Sequence, residues 1–561
     1  MKLARLFVFI GGLLVLLLTA ALVAPYFIDW TNYRSDFERQ AGIILGREVR
    51  VEGAARARLL PFPSVTFTDV VVAGASPDEP SMTVEEFSMD AELAPFLRGE
   101  LLIFDMRLVR PQVHIFVDGD GRVDWTMRPS TPFELRQISL ERVAITDGTV
   151  TIHRAGGLRS IVVNDINSEV SARSLAGPWR MQGSLSVDGI PMSVSGSTGT
   201  MAQDGIRVRL ALQPQSLPFT VDLDGHVQGE GGVLTYAGSF DLRTPAAGQG
   251  DTQPSTVPSN RVTGRFHLDH QRLMVEEFRL IAGSPEDPYT TEGRAEISFG
   301  ADPSFSIVAD GAQLRWDGAA DEHGGSGMSA AERIEAVVRF VSGLPRPTIP
   351  GIVSVNIPAI VAGDTTIRDV RIEARPVAEG WNLGSVAATL PGRTRLEGSG
   401  VLALGDQAAF SGHFLLAIAQ PSGFAAWVAR DIDDAIRRLP AAGFSADVHL
   451  SGTRQVFENL ELVLGDATFA GRVERQSPAD RRASVLVSLE GGRLDLDGLR
   501  AFASLFVDDQ GENRLSNHDV DVELAAGPVV WRGVETERFE TKVRLRDQAL
   551  GAIQELLAFY G

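Results

Sequence analysis

The chain has 561 residues, 44% hydrophobic and 22% charged, with a formal net charge of −20 and no cysteine. The apolar fraction is enough for a core and excludes wholesale disorder. Lack of cysteine excludes disulfides, thiolate catalysis and Cys-ligated zinc or iron–sulfur centres, and the acidic balance argues against sequence-independent nucleic-acid binding.

The chain opens on an oily run. Residues 6–28, "LFVFIGGLLVLLLTAALVAPYFI", carry no charge. At about 1.5 Å rise per residue they span roughly 34 Å, enough to cross a bilayer core of about 30 Å. Lys2 and Arg5 precede the run and Asp29 follows it. The positive-inside rule then predicts residues 1–5 in the cytoplasm and the bulk across the membrane. A cleaved signal peptide is the rival, with Thr19-Ala20-Ala21 as its cleavage site, but such apolar regions are only about 7–15 residues long. A single uncleaved span is the expectation. Asp29 and Trp30 fall at the membrane interface, where Trp is enriched.

Tyr33, Phe37, Ala41, Ile44 and Leu45 then recur at helical spacing, and Gly46 is a natural stop. From "REVRVEG" onward period-two alternation dominates, the pattern of half-buried strands. Val113, Ile115 and Val117 share one strand face, and Asp118–Gly121 reads as a hairpin turn. Asp147-Gly148, between Val143/Ile145 and Val150/Ile152, reads as a second hairpin. Asp222, Asp224 and Asp495, Asp497 read as strand-end turns. A glycine recurs within strand patterns at Gly183, Gly238, Gly264, Gly293, Gly398, Gly412, Gly452 and Gly471. Repeated β units with such glycines predict one long sheet that bends or bulges, not a propeller of fixed blades.

Residues 244–260 lack large apolar side chains and read as a flexible linker. Two helices interrupt the strands, near 329–343 (a capping box at Ser329 and Glu332) and near 421–439 (Phe424, Val428, Ile432, Ile436 and Leu439 on one face). Both are expected to cover sheet ends or edges. The last residues, "RDQALGAIQELLAFYG", are still patterned, so the fold is expected to continue past them.

Catalytic and metal signatures are missing. HExxH, GxxxxGK[ST] and GxSxG do not occur. His267 and His270, three apart in a strand pattern, point to opposite faces. Asp118, Asp120 and Asp124 resemble a Ca²⁺ loop, but Arg122 stands where a ligand oxygen is needed, so a polar turn is the better reading. The expectation is a non-enzyme with no metal and no cofactor.

Several stretches resemble the AsmA family of bacterial envelope proteins: "FIDWTNYRSDFERQAGIILGREVRVEG", "LLPFPSVTFTDVVV" and "AELAPFLRGELLIFDMRLVRPQVHIFVDGDGRVDW". Gly53, Ala57 and Pro61 stand at a Gly-x-x-x-apolar-x-x-x-Pro segment, Ala57 being smaller than the pattern prefers. Leu108, Pro111, Val113, Ile115, Gly121 and Trp125 match a second motif. The resemblance covers residues 1–155 and returns at "AGPVVWRGVETERFETKVRLRDQAL". With it the chain divides into a cytoplasmic N-terminus (1–5), an anchor (6–28), an N-terminal AsmA-like region (29–155), β repeats (156–243), the linker (244–260), β repeats with helices (261–440) and a C-terminal AsmA-like region (441–561).

The resemblance implies a mainly β fold: one transmembrane helix, then a long curled and grooved antiparallel sheet of repeated β units with a few short helices. It implies anchorage in the inner membrane, a periplasmic bulk, phospholipid carriage along a hydrophobic groove, and links to outer-membrane protein assembly. It brings no catalytic residues. Val113, Ile115, Val117, Val150, Ile152, Ile297 and Phe299 are the candidate groove lining. Alternation alone is equally compatible with an ordinary sandwich core, and the same sheet is compatible with a scaffold that does not transport. An envelope hydrolase is disfavoured by the empty motif census.

Overall fold

In the computed structural model the described residues are 19, 30 and 34–545, the latter without 59, 61, 75–79, 97–100, 125–137, 156–159, 201–204, 218, 245–259, 283–288, 316–346, 363–364, 405–407, 429–433, 479–481, 496–498, 500–501, 503–518, 532–533 and 538. Most of the apolar run, Asp29, most of the linker and the helix near 329–343 lie outside them. No helix among the described residues is long and apolar enough to cross a membrane. The chain forms two compact units, Met1–Pro288 with Glu296–Pro303, and Tyr289–Ala295 with Ser304–Gly561.

The first unit begins with the helix Arg34–Leu45. Its strands are β1 (Val49–Val51), β2 (Ala55–Arg58), β3 (Ser64–Val72), β4 (Met82–Ala91), β5 (Leu101–Val109), β6 (Gln112–Val117), β7 (Ile138–Arg154), β8 (Ile161–Ala172), β9 (Trp179–Val187), β10 (Ile190–Thr198), β11 (Ile206–Pro214), β12 (Thr220–Glu230), β13 (Val233–Arg243), β14 (Arg261–Leu268) and β15 (Arg272–Ala282). Both β1 and β2 pair antiparallel with β3, and β3 with β4. Strands β5 and β6 pair antiparallel with β4 and lie end to end, parallel to β7. From β7 to β15 each strand pairs antiparallel with the next. Strand β16 (Tyr289–Ser298) divides its residues between the units.

The second unit holds β17 (Ser304–Gly311), β18 (Leu314–Arg315), β19 (Gly351–Ala362), β20 (Thr365–Val377), β21 (Gly380–Leu390), β22 (Thr394–Leu404), β23 (Ala408–Ile418), β24 (Ala442–Leu450), β25 (Arg454–Leu464), β26 (Ala467–Gln476), β27 (Ser484–Gly491), β28 (Leu494–Asp495), β29 (Asp519–Ala526), β30 (Val529–Trp531), β31 (Val534–Thr536) and β32 (Phe539–Leu545). Strands β17 and β18 run parallel to β19. An antiparallel meander follows from β19 to β27. Strand β29 is parallel to β27 and antiparallel to β32, while β28, β30 and β31 form a small separate sheet. The fold is mainly β, as the alternation predicts.

Two local devices shape these sheets. Asp69, Asp147, Asp165, Asp369 and Asn459 all sit mid-strand with φ between 48° and 55°. Such left-handed residues cost most L-amino acids about 1–2 kcal/mol, and Asp and Asn least. The ladder register skips or shifts at each one, the mark of a bulge that bends the strand and raises its twist. Asp147-Gly148 is therefore not a hairpin: β7 runs through it as one strand of 17 residues. The second device is close strand approach at paired glycines. Gly225 opposes Gly238 and Gly400 opposes Gly412. A Cβ on Gly238 would overlap the Asp224 carbonyl oxygen, and one on Gly412 the Ser399 carbonyl oxygen. Of the predicted mid-strand glycines, Gly452 departs from the pattern, lying in the turn between β24 and β25.

The predicted helix near 421–439 is present as two pieces, Pro421–Val428 and Asp434–Arg438. They do not cover a sheet edge. Phe424, Ala425, Val428 and Ile436 pack onto the apolar face, with Leu416, Ala446, Leu462 and Phe469, in a fully buried cluster. The edge has nothing to offer their apolar stripe, whereas the face does.

Candidate functional site

The ladder register aligns apolar side chains of the first unit on one face. Val113 lies beside Val150, Val150 beside Val163, and Val163 beside Val187. Ile115 lies beside Ile152, and Ile152 beside Ile161. Val117, two residues on from Ile115, shares their face. Further along, one row reads Val194, Leu212, Val221, Leu242, Val262 and Leu280, and the next Gly196, Leu210, Leu223, Phe240, Gly264 and Phe278. The sequence-predicted lining on β6 and β7 thus belongs to a face that continues to β15.

This face is not packed like a core. In those rows only Val194 is buried; the other side chains keep intermediate exposure. Ile190 and Leu234, on the same face near strand ends, are 38% and 49% exposed. Apart from the turn after β6, whose Arg122 bridges Val233 at the start of β13, the close packing partners of β10–β14 among the described elements are their own ladder neighbours. A β-sandwich would lay a second sheet about 10 Å away and bury these positions. Tyr236 meets Phe266 edge to face at 4.9 Å and donates its hydroxyl to the Val208 carbonyl at 3.1 Å. Its polar end is thereby satisfied within the sheet, and burial pushes its pKa up.

Ile297 and Phe299 differ in placement. Glu296 is paired with Arg272 at 3.7 Å on the polar side, so its neighbour Ile297 turns to the apolar side. Phe299 lies beyond the end of β16; its N–H donates to the Gln271 carbonyl at 2.7 Å and its carbonyl accepts from Arg154 Nη1 at 3.0 Å. Trp30 is half-buried, and Asp29 lies outside the described residues.

The N-terminal helix closes one end of this face. The Phe37 ring lies tilted against the Phe67 ring, centroids 5.2 Å apart, and packs with Val51 and Ala55. Arg34 Nη1 donates to the Val51 carbonyl at 2.9 Å, and the Val51 N–H donates to Glu38 Oε1 at 2.7 Å. Just past the helix, Arg47 donates to Ser81 Oγ at 2.8 Å and to the Asp124 carbonyl at 2.7 Å. The short connection between this helix and β1 is therefore a clamp. The Ile44 side chain, part of the predicted stripe, lies outside the described residues.

The opposite face is charged. Asp224 accepts from Arg207 and Arg209, and Asp241 from Arg243 and Arg261. Those guanidinium hydrogen bonds pull both carboxylates down to about 2. A hollow of about 570 Å³ on this side is lined by Ser195, Asp222, Asp224, Asp241, Arg243 and Arg261, among others. Its arginines are already paired with its carboxylates. Asp222 and Asp224 are thus mid-strand members of β12, not turn residues. Asp118 to Gly121 does form the predicted turn: Asp118 Oδ1 accepts from the N–H groups of Asp120 and Arg122, and Arg122 Nη1 reaches Asp120 at 2.6 Å. No cluster able to hold a metal occurs among the described residues.

Reasoning from sequence missed the left-handed Asp/Asn positions and the Arg–Asp clusters. Both had signals: an acidic or amide residue inside an apolar strand run ("VTFTDVVV", "TTIRDVRI", "VFENLEL"), and Arg or Asp at alternate positions of adjacent strands ("RVRLAL", "VDLDG", "SFDLR").

These features define the first unit as a β-sheet with one polar face and one apolar face that no described element covers from β10 to β14, with a short helix packed at its start. The AsmA family model matches residues 1–197, and over that stretch the chain is similar to the AsmA family. The match runs past residue 155, through β10, and does not reach the C-terminal stretch whose resemblance rests on pattern. Comparison with curated proteins and with solved structures gives no match.

Proposed function

We propose that the chain carries phospholipid, holding acyl chains against the apolar face of the first unit while headgroups stay in water. The observation that carries this reading is the uncovered face itself, where apolar side chains are in register from β6 to β15 and remain partly exposed. An exposed apolar patch of that extent marks a surface meant to be covered by an apolar partner. Acyl chains suit it because it is a continuous strip that offers few hydrogen-bonding groups. In this reading residues 6–28 anchor the chain in the inner membrane, the bulk lies in the periplasm, and lipid moves toward the outer membrane. Transfer needs no covalent step, so no catalytic residue or cofactor is assigned.

A photo-crosslinking residue at Ile115 or Leu223 should capture phospholipid from cells, and one at Ser239, on the charged face, should not. Equal capture at all three positions, or none at Ile115 and Leu223, would sink the proposal.

A further inference from the structure

The second unit treats its apolar face differently. Within this unit Phe414 lies beside Ala446 and Gly412 beside Val448, and one row reads Leu416, Phe444, Leu462, Phe469 and Gly491. Here the side chains are sealed: Ala446 is 0% exposed, Val448 1% and Phe469 1%. The cover over β23–β26 is the helix pair Pro421–Val428 and Asp434–Arg438, whose Phe424, Ala425 and Ile436 are 3%, 0% and 1% exposed, and Phe502 joins the same buried cluster. Helices of eight and five residues do not hold their shape alone in water. They persist because their apolar side chains rest on the sheet. The second helix turns Asp434, Arg437 and Arg438 outward, with Arg437 paired to Asp434 at 3.0 Å.

We propose that this helix pair is a built-in plug, standing where acyl chains would otherwise lie and keeping the face of β23–β27 closed to lipid until it is displaced. The word lipid rests on the function proposed above; the closure does not. The plug is tied to the sheet at one entry point. The Gln420 N–H donates to the Gly392 carbonyl at 2.9 Å and the Phe424 N–H to the Gln420 carbonyl at 3.1 Å. Gly392, at φ +75°, leaves no room for a Cβ beside the Phe424 amide. This seat fixes where the first helix starts, and the apolar contacts then decide whether it stays down.

The native chain has no cysteine, so single thiols report cleanly. Ala446→Cys and Leu223→Cys are compared by maleimide labelling of the full-length protein. Because labelling of a covered thiol goes through an opened state, Ala446→Cys should react at least about a hundredfold more slowly than Leu223→Cys. Adding Phe424→Ser and Ile436→Ser should bring the two rates together. A photo-crosslinker at Leu462 should capture phospholipid only in that plug variant. Amide exchange of β23–β26 checks that the sheet survives, and Ile436→Ser alone serves as the milder variant. Fast labelling of Ala446→Cys in the otherwise native chain overturns the plug. So does a Leu462 crosslinker that catches lipid equally with and without the plug substitutions. Failure of lipid carriage itself shows separately, as no capture at Leu223, and the labelling rates still decide whether the face is closed.

Discussion

Two leucines in equivalent ladder positions give the sharpest test of an open face against a packed one. Leu223 stands between Leu210 and Phe240, and Leu462 between Phe444 and Phe469. Each therefore has an apolar neighbour on both flanking strands. They differ in what lies above. Leu462 is 6% exposed beneath the helix pair, while Leu223 is partly exposed with no described element over it. Truncation of Leu462 to alanine removes contacts on all sides and leaves a cavity, for which a loss of about 2–5 kcal/mol is usual. Truncation of Leu223 opens no enclosed cavity, so only part of the transfer energy of three carbons is lost, about 1 kcal/mol. The two-unit chain need not unfold in one step, so a single melting temperature is a poor readout. Amide exchange measured on delipidated protein, over β11–β13 for Leu223→Ala and β24–β26 for Leu462→Ala, reads each local stability directly. The expected result is a loss at Leu462 at least twice that at Leu223. Equal losses would mean that a second layer covers the first unit's face, and the argument for an acyl-binding surface would fall with it.

Three further outcomes follow from particular residues. Asp369→Val forces a β-branched residue to φ 53° and should cost about 1–2 kcal/mol in the exchange stability of β20, while Asp369→Asn should be near neutral; similar effects of both would remove the left-handed bulge as the cause. Asp241 has its pKa lowered to about 2 by Arg243 and Arg261, so its stabilising effect is full above the unfolded value near 4 and is lost as pH falls from about 4 to about 2. Solvent screening limits that effect to roughly 1 kcal/mol or less; comparing β12–β14 protection in native protein and Asp241→Asn from pH 5 to pH 2 should show the native advantage vanish in that window, and an advantage that persists at pH 2 would refute the assignment. A flexible insertion after Gly46 separates the helix from the Arg47 contacts and should impair lipid capture at Ile115 while leaving the protein with the membrane fraction; undiminished capture with a long insertion would show that the clamp is not needed.

The strand content was legible because period-two alternation depends only on one face being apolar, which every segment from β3 to β27 satisfies. The same property hid the central question. Val150 and Ala446 both look like inward positions in the sequence, yet one is half-exposed and the other is sealed. What differs is the neighbour above each face, and that is set by long-range folding. The Asp-Gly step at Asp147 misled for a related reason. Its local chemistry permits a left-handed residue, and such a residue serves a bulge as well as a turn; only β8 alongside, pairing across the whole of β7, decides between them. The helix at Phe424 was legible from its stripe, but an apolar stripe does not say whether it meets an edge or a face.

The two faces of the first unit also bear on how a sheet can stand without a second layer. Ordinarily the facing layer supplies most of the burial that holds strands in register. Here part of that task falls to the polar side. Asp224 ties β12 to β11, and Asp241 ties β13 to β14 through Arg261. Such exposed pairs contribute little energy singly, but together they offset the native facing of Asp222 by Asp241 and of Arg243 by Arg261 across these strands. The glycine pairs and left-handed aspartates then supply curvature that a facing layer would otherwise impose. A sheet specified in this way can leave its apolar face empty without losing its alignment. That face is still costly to leave in water, at about 25 cal/mol for each Å² of apolar surface. The gain on covering it is the driving force for taking up a chain-like apolar ligand. In the second unit the Phe424–Ile436 plug has already taken that gain internally, which is why the two faces, alike in sequence pattern, are expected to behave differently toward lipid.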